Sequence, residues 1–198
     1  MSKQIPDAVE KLRDDIVFRD TLCGFDMEFH STWGIFSPRA IDEGTALLLK
    51  YLEVNPTDRC LDLGCGYGPL GLVMAKMAAQ GHSTLIDKDF VAVDYAQKNA
   101  RINHIANADV FLSNGFSAIG RDQRFDVIVS NLPAKAGKEL FYLYFYDALI
   151  RMEPGARFYV VTVNGLREFV KRVFKEVFGN YKKVKQGANY TISLAVKE

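Results

Sequence analysis

Glycines at alternate positions follow a short apolar segment in residues 61–71, and this part of the chain carries the clearest chemical signal. Glycine lets the backbone turn tightly and approach a bound nucleotide closely, so the spacing predicts a strand-to-helix turn beneath a nucleotide cofactor. The turn alone is weak evidence for one chemistry, because dehydrogenases share it. The cofactor-binding residues predicted here are Asp62, Gly64, Cys65, Gly66 and Gly68.

Further polar side chains follow the next two predicted strands. Asp87 comes 25 residues after Asp62, and we expect it to accept hydrogen bonds from ribose hydroxyls, as an acid does at this place in the dinucleotide fingerprint. After the third strand, we expect Asn114 and Gly115 beside an adenine edge and Phe116 on its face, although turn chemistry alone also explains Asn-Gly. Asp62 is expected to brace the glycine turn, either alone or while also reaching the amino-acid end of the cofactor.

An amide and a proline follow the fourth predicted strand, in Asn131-Leu132-Pro133. With the glycine turn, the tripeptide predicts methyl transfer from S-adenosylmethionine. A dehydrogenase would need a nicotinamide half-site and usually a second substrate-binding region, and this chain has no room for a large one.

Alternating strand and helix patterns position these residues from 58 onward. The pattern predicts an α/β fold, with a doubly wound, mostly parallel seven-stranded sheet and a C-terminal antiparallel hairpin. Right-handed crossovers then place the cofactor outside the carboxyl ends of the first strands. The predicted strands are 59–63, 83–86, 109–112, 125–130, 157–163, 181–185 and 190–196. The predicted helices are 70–79, 90–103, 138–152 and 166–178.

The first 55 residues precede this pattern. They predict an amphipathic helix at 7–20, an edge strand at 25–30, a loop at 33–38 and a helix that starts at Asp42. The segment is too small and too apolar for a separate domain. We therefore predict a single domain, 1–198, in which residues 1–55 form an extension packed on a 56–198 core.

Charge and cysteine content limit the other function classes. The net charge is +1, so the chain as a whole is no obvious polyanion binder. Residues 151–198 nevertheless hold ten basic and four acidic residues, an excess of six, which is typical either of an RNA-facing surface or of a solvated helix and edge hairpin. The three cysteines and three histidines show no metal-ligand pairing, so no metal is expected. Without a signal peptide or a long apolar run, we expect no membrane segment and a cytoplasmic location.

The chain resembles the small-domain family of class I S-adenosylmethionine-dependent methyltransferases, with a Rossmann-like fold. The family includes bacterial enzymes that methylate the exocyclic amine of guanine in ribosomal RNA, and compact archaeal relatives. The matching segments are Gly34-Ile35-Phe36-Ser37, Asp42-Glu43-Gly44-Thr45, the turn at 62–71, Asp87, Ser130-Asn131-Leu132-Pro133 and Ala136-Gly137-Lys138-Glu139. The resemblance implies that the turn and Asp87 hold S-adenosylmethionine, and that the Asn131 motif holds the target amine while also bordering the cofactor. Such an amine is a poor nucleophile, because its lone pair is delocalised into the base ring, and two hydrogen-bond acceptors would localise that pair. On this resemblance we expect the acceptors to be the Asn131 side-chain oxygen and the Leu132 carbonyl, with Pro133 holding Leu132 in extended backbone. The resemblance also adds Phe36 and Ser37 to the cofactor-binding residues.

The chain departs from the family at Leu132 and Ala134, where the family usually has a proline and often an aromatic residue. Stacking of a base on an aromatic side chain stabilises binding by about 1–3 kcal/mol. Either Trp33, Phe36 or Phe116 supplies that surface here, or the substrate differs.

Three functions follow from these observations. The favoured one is N-methylation of a base amine in RNA, with guanine N2 of ribosomal RNA as the target. The alternatives are a methyltransferase of protein glutamine or of a small molecule, and a cofactor-binding scaffold with weak or no activity. We also expect a homodimer through the aromatic segment at 141–146.

Overall fold

The computed structural model describes residues 6–133 and 137–198. Its helices are α1 Asp7–Glu10, α2 Glu43–Leu49, α3 Pro69–Met77, α4 Phe90–Ile102, α5 Lys138–Arg151 and α6 Arg167–Phe178, with short 3-10 turns at Lys11–Arg13 and Asn164–Leu166. Its strands are β1 Ile16–Leu22, β2 Phe25–Ser31, β3 Arg59–Leu63, β4 His82–Asp87, β5 Ala108–Leu112, β6 Phe125–Asn131, β7 Met152–Val163, β8 Lys182–Gln186 and β9 Tyr190–Val196.

Seven strands form one sheet in the order β5-β4-β3-β6-β7-β9-β8. Strands β3 to β7 pair in parallel, whereas β9 is antiparallel to both β7 and β8. The predicted doubly wound sheet with its C-terminal hairpin is therefore confirmed. The chain leaves β3 toward β4 on one side and returns to β6 on the other, so a crevice opens at the carboxyl ends of β3 and β6.

Successive residues of the central strands enter two different cores. Cys60 of β3 packs with α2, α3 and α4 on one face of the sheet, whereas Leu61 packs with α5 and α6 on the other. Strands covered on both faces need apolar residues at consecutive positions, which is why these segments are apolar runs. The carboxyl ends of the strands thus extend from a rigid, doubly covered sheet.

The predicted helix at 7–20 is wrong beyond Arg13. Residues 16–22 instead form β1, which pairs with β2 in a separate two-stranded sheet, so β2 is not an edge strand of the main sheet. Cys23 and Gly24 close this hairpin with φ angles of 52° and 84°, the positive values that a tight two-residue turn requires. Phe18 packs 5.6 Å from the Phe29 ring. The apolar residues of 7–20 have helical spacing, but pairing with β2 and the contact between Phe18 and Phe29 stabilise a strand from residue 16 onward.

Two asparagines, Asn99 in α4 and Asn103 directly after it, attach the hairpin to this helix. Asn99 is fully buried; its Oδ1 accepts from His30 N at 2.8 Å, and its Nδ2 donates to His30 O and Tyr67 O, each at 2.9 Å. One turn later, Asn103 makes the same pair of bonds with the backbone of Glu28. The free backbone edge of β2 is thus satisfied by side chains of the helix. These contacts support our proposal that residues 1–55 form an extension packed on a 56–198 core.

Replacing Asn99 by alanine is expected to lower the free energy of unfolding by about 2–4 kcal/mol, because three buried backbone groups lose their partners. Urea denaturation followed by circular dichroism measures the change. Asp94→Ala on the exposed face of the same helix is the matched control, with an expected effect within about 0.5 kcal/mol. Equal stabilities of the two variants would contradict the bridging role of Asn99.

Candidate active site

The turn after β3 is fastened to the neighbouring strand. Gly64 N and Cys65 N both donate to Ile86 O of β4, at 2.8 and 3.0 Å. Gly64 and Gly66 have φ angles of 78° and 56°, and a Cβ added at either position would meet no atom within 4 Å. The backbone of the turn is therefore accessible to a ligand at these two glycines. Burial raises the pKa of the Cys65 thiol well above its ordinary value, so this side chain stays uncharged.

Asp87 holds the same turn through its carboxylate. Its Oδ2 accepts from Gly66 N at 2.9 Å and its Oδ1 accepts from Asp89 N at 2.9 Å. A carboxylate has about four acceptor positions, so Asp87 retains capacity for further donors. The structure brings this acid and the glycine turn together at one end of the sheet, which is the arrangement that a ribose would need.

Asp62 lies beneath the turn and has one oxygen without a partner. Its side chain is 1% exposed, and its Oδ2 accepts from Gly71 N at 2.7 Å. Among the described residues, no donor reaches its buried Oδ1. Burial raises the pKa of Asp62 to about 7, the charge of Asp87 adds to the rise, and the Gly71 N–H opposes it.

These features fit S-adenosylmethionine. A buried acceptor without a partner suits an ammonium group, spare carboxylate acceptors suit ribose hydroxyls, and the open glycine turn leaves room for a ligand. The fit rests on Asp62 Oδ1, the remaining acceptor positions of Asp87, and the absence of side chains at Gly64 and Gly66.

Asp62→Asn is expected to change how stability depends on pH in the cofactor-free protein. The folded-state pKa of about 7 lies above the ordinary 3.8, so the folded state holds a proton that the unfolded chain releases. The free energy of unfolding should fall as pH rises between these values, by about 1.4 kcal/mol per unit. The variant lacks this slope and should be more stable than the wild type at alkaline pH. Urea denaturation across the window measures both effects, and parallel slopes would contradict the raised pKa.

Calorimetry on the same variant addresses the alternative that Asp62 only braces the turn. Asparagine retains an oxygen for Gly71 N–H, so a bracing role predicts unchanged affinity for S-adenosylmethionine. Contact with the cofactor ammonium instead predicts a dissociation constant about tenfold higher, and we expect this second result. The variant would then be more stable than the wild type and still bind more weakly.

The residues predicted to bind adenine after β5 differ in their exposure to solvent. Asn114 is exposed, whereas Phe116 is 4% exposed and packs in the core on the α5 side. A Cβ added at Gly115 would lie 2.7 Å from the Tyr144 ring. Burial raises the pKa of Tyr144, and the charge of Asp87 adds to the rise.

Sequence reasoning missed Tyr144, because the aromatic segment at 141–146 predicts only packing. It also missed Phe90 and Leu112, which follow β4 and end β5 and expose 72% and 52% of their surface. The adjacent acid and strand end are the signals that could have identified them. They offer the exposed apolar surface that Phe116 does not.

The Asn131 side chain is held on its nitrogen side. Its Nδ2 donates to Asp42 Oδ2 at 2.8 Å and to Thr45 Oγ1 at 3.1 Å. Leu132 N donates to Val161 O at 3.2 Å, and the Leu132 side chain is buried in the core. Pro133 is exposed, and Ala134 lies outside the described residues.

The loop between β2 and α2 is attached to the glycine turn. Tyr67 Oη donates to Ser37 O at 3.2 Å and to Ala40 O at 3.3 Å. Phe36 is 67% exposed, and Trp33 is exposed with the Arg39 guanidinium 4.5 Å from its ring centroid. Of the three aromatic residues considered for stacking a base, the two in this loop are therefore accessible.

The basic residues after 151 do not form one surface. Arg157 pairs with Asp58 at 2.6 Å, beyond the amino end of β3, which is the end opposite the glycine turn. Near the motif, Lys138 Nζ and the Arg172 guanidinium lie 5.7 and 5.5 Å from the Phe169 ring centroid. Within residues 6–133 and 137–198, neither of these two cations forms an ion pair with a carboxylate.

Two further classes of site are absent from the part of the chain that the structure describes. No group of three or more histidine, cysteine or acidic side chains there could hold a metal ion. No helix of those residues is long and apolar enough to cross a membrane.

The chain is similar to known protein families and proteins in sequence. The model of one protein family, described as "Methyltransferase small domain", matches residues 26–193. The YbxB protein of Bacillus subtilis is 30% identical over 175 residues, which cover 87% of both chains. The ribosomal RNA small subunit methyltransferase C of Hamiltonella defensa is 30% identical over 171 residues, which cover 84% of this chain and 49% of that protein. The chain spans about half or less of the length of the curated rRNA methyltransferases it matches.

Solved structures show the same architecture. A T. thermophilus 16S rRNA N2 methyltransferase, solved in complex with AdoMet and guanosine, aligns with a TM-score of 0.84 at 28% identity, covering 92% of this chain and 50% of that chain. A methyltransferase from Pyrococcus furiosus aligns with a TM-score of 0.67 at 21% identity, covering 83% of this chain and 90% of that chain. The second similarity concerns the fold alone.

Proposed function

Because the chain belongs to the methyltransferase small domain family, we propose that it transfers the methyl group of S-adenosylmethionine to an exocyclic base amine in RNA. The favoured target is guanine N2 of ribosomal RNA. Two similar proteins motivate this substrate: one is named for methylation of small subunit rRNA, and the other was solved with AdoMet and guanosine. The observation that carries the proposal is the Asn131 amide, whose nitrogen is occupied by Asp42 and Thr45, so that its oxygen remains to accept.

Each group of residues then has a defined task. When bound, S-adenosylmethionine supplies an electrophilic methyl group on a sulfonium. Asp62, Asp87 and the glycine turn bind and orient it. Asn131 Oδ1 and the Leu132 carbonyl accept the two hydrogens of the target amine and hold its nitrogen toward the methyl carbon, and such positioning supplies much of a rate enhancement. The methylated amine is a strong acid, so water can take its proton.

The surface beside the Asn131 motif supports RNA as the substrate. Lys138 begins α5 a few residues after Asn131, and Arg172 lies on the second turn of α6, which follows the carboxyl end of β7. Both cations lie over the Phe169 ring, which is partly exposed. Cations without acidic partners bind phosphate oxygens, and the accessible part of an aromatic ring beside them can contact a base.

Replacing Lys138 and Arg172 together by alanine is expected to raise the KM for RNA while kcat stays within about threefold of the wild type. The slope of log affinity against log salt should become shallower by about one for each phosphate that the variant no longer binds. Lys182→Ala with Lys183→Ala on the edge strand β8 is the matched control and should change neither quantity. Equal effects of the two pairs would contradict a local RNA site.

The experiment that tests the proposed function uses radiolabelled S-adenosylmethionine with undermodified total RNA, beside a protein fraction. We expect label in RNA, a labelling rate that falls by about 10²–10³-fold with Asn131→Ala, and N2-methylguanosine after nucleoside digestion. Label confined to protein would overturn the RNA proposal in favour of glutamine methylation. Cofactor binding by calorimetry without transfer to either fraction would favour a scaffold.

We also propose a homodimer and a cytoplasmic location. Helix α5 exposes Leu143, Tyr146 and Ile150 at helical spacing, which supports a contact through this helix. Sedimentation equilibrium tests the dimer, and a monomer at every concentration would contradict it. The location follows from the proposed RNA substrate.

A further inference from the structure

We propose that Asp42 and Thr45 are positioning residues that fix which side of the Asn131 amide meets the target amine. The inference rests on the proposed function, because it concerns the acceptor role of Asn131. It assigns a task in the reaction to the first turn of α2, a helix that contains no predicted site residue.

Asp42 connects two separate parts of the chain. It is the N-cap of α2, where its Oδ1 accepts from Gly44 N at 2.8 Å and its Oδ2 accepts from Thr45 N at 3.1 Å. The same Oδ2 accepts from Asn131 Nδ2, 89 positions later in the sequence. Two backbone N–H groups thus hold the carboxylate in place before it contacts Asn131, and α2 itself packs on β7 and β9. The Asp42 carboxylate, which accepts from the Asn131 NH₂, is therefore held in a fixed position.

The chemistry of the carboxylate determines the orientation of the amide. An amide can rotate by half a turn and exchange its donor and acceptor ends with little change in shape. An ionised carboxylate only accepts, so it admits the NH₂ end and repels the oxygen. Thr45 Oγ1 accepts a second hydrogen of the same NH₂ at 3.1 Å, and Thr45 is 4% exposed, so water does not readily replace it. Both hydrogens of Asn131 Nδ2 are thereby occupied, and Oδ1 remains.

The orientation decides whether the site works. The target amine has only hydrogens to donate, so it needs an acceptor from Asn131. A reversed amide would present NH₂ to NH₂, which both removes a hydrogen bond and opposes the approach of the substrate. Fixing the amide before binding avoids a reorganisation during the reaction, which is how preorganised dipoles contribute to catalysis.

Asp42→Asn is the most discriminating variant. Asparagine is as good an N-cap as aspartate, so α2 should form normally. Asparagine keeps one oxygen, and when that oxygen accepts from Gly44 N, its NH₂ lies at the former Oδ2 position. There the NH₂ opposes Asn131 Nδ2 and favours the reversed amide. We expect kcat to fall by about 10- to 100-fold, with the KM for RNA and the Kd of S-adenosylmethionine within about threefold of wild type and the melting temperature nearly unchanged.

Substitutions at Thr45 complete the series. Thr45→Val removes one acceptor at constant shape and should lower kcat by about three- to tenfold, and Thr45→Ser restores the hydroxyl and should recover most of it. Thr162→Val is the matched control, because Thr162 is equally buried and its Oγ1 has no partner among the described residues. We expect this control to keep both activity and stability.

A signal independent of catalysis separates this inference from the proposed function. The Asn131 Nδ2 protons, assigned in NMR spectra by their absence in Asn131→Asp, should exchange slowly in the wild type and faster in Thr45→Val. Slow exchange that Thr45→Val leaves unchanged would overturn the inference. Wild-type kcat in Asp42→Asn would overturn it too, provided that Asn131→Ala shows its expected loss of activity. Near-wild-type activity of Asn131→Ala would instead overturn the acceptor role in the proposed function, while the exchange measurement would still test the orientation.

Discussion

Replacing Asn131 by alanine is expected to lower kcat by about 10²–10³-fold, while the Kd of S-adenosylmethionine changes by less than about fivefold. The alanine removes one of two acceptors for the target amine, and the Leu132 carbonyl remains. Activity should therefore fall without vanishing. The Kd should change little, because the contacts predicted for the cofactor lie mainly on the turn after β3 and on Asp87.

Single-turnover kinetics with saturating RNA isolate this effect from substrate binding. Asn189→Ala is the matched control, because its Nδ2 also donates to a carboxylate of α2, Glu43 Oε2, at 2.7 Å, but on the protein surface. We expect that variant to keep wild-type kcat. Asn131→Ala with near-wild-type turnover would exclude the amide as an acceptor and leave the backbone carbonyl as the principal contact.

The sequence predicted the sheet well because each strand buried on both faces must be apolar at successive positions. Such runs are visible without knowledge of the partner strands, as in residues 59–63 and 125–130. β1 could not be predicted in the same way. Its residues alternate poorly between buried and exposed, and its hairpin turn is Cys23-Gly24 instead of the more informative Asn-Gly or Asp-Gly.

The positions of site residues along the chain were also predictable, but their side-chain contacts were not. Parallel strands end at one edge, so Asp87 and Asn131 had to approach the glycine turn. The direction of a side chain that leaves a strand end depends on its neighbours in space, and these are distant in sequence. Phe116 turns into the core, and the partners of Asn131 come from a helix 86 and 89 positions earlier.

Replacing Asp87 by alanine is expected to raise the Kd of S-adenosylmethionine by about 10²–10⁴-fold. The carboxylate is predicted to accept from two ribose hydroxyls, and charge-assisted hydrogen bonds contribute about 1.5–3 kcal/mol each. The same substitution removes the acceptor of Gly66 N, so the glycine turn loses its attachment to β4 at that point. Calorimetric titration measures the affinity, and the melting temperature shows whether the fold persists.

Comparison with Asp87→Asn separates the two tasks of this acid. Asparagine keeps one oxygen and can hold either Gly66 N or a ribose hydroxyl, so its Kd should lie between those of the wild type and the alanine variant. Asp109→Ala, an exposed acid on the adjacent strand β5, is the matched control and should bind normally. If both variants bound S-adenosylmethionine normally while Asp87→Ala lost stability, the acid would only brace the turn. A loss of affinity that grows from the asparagine to the alanine variant, with the fold intact, is what a ribose contact requires.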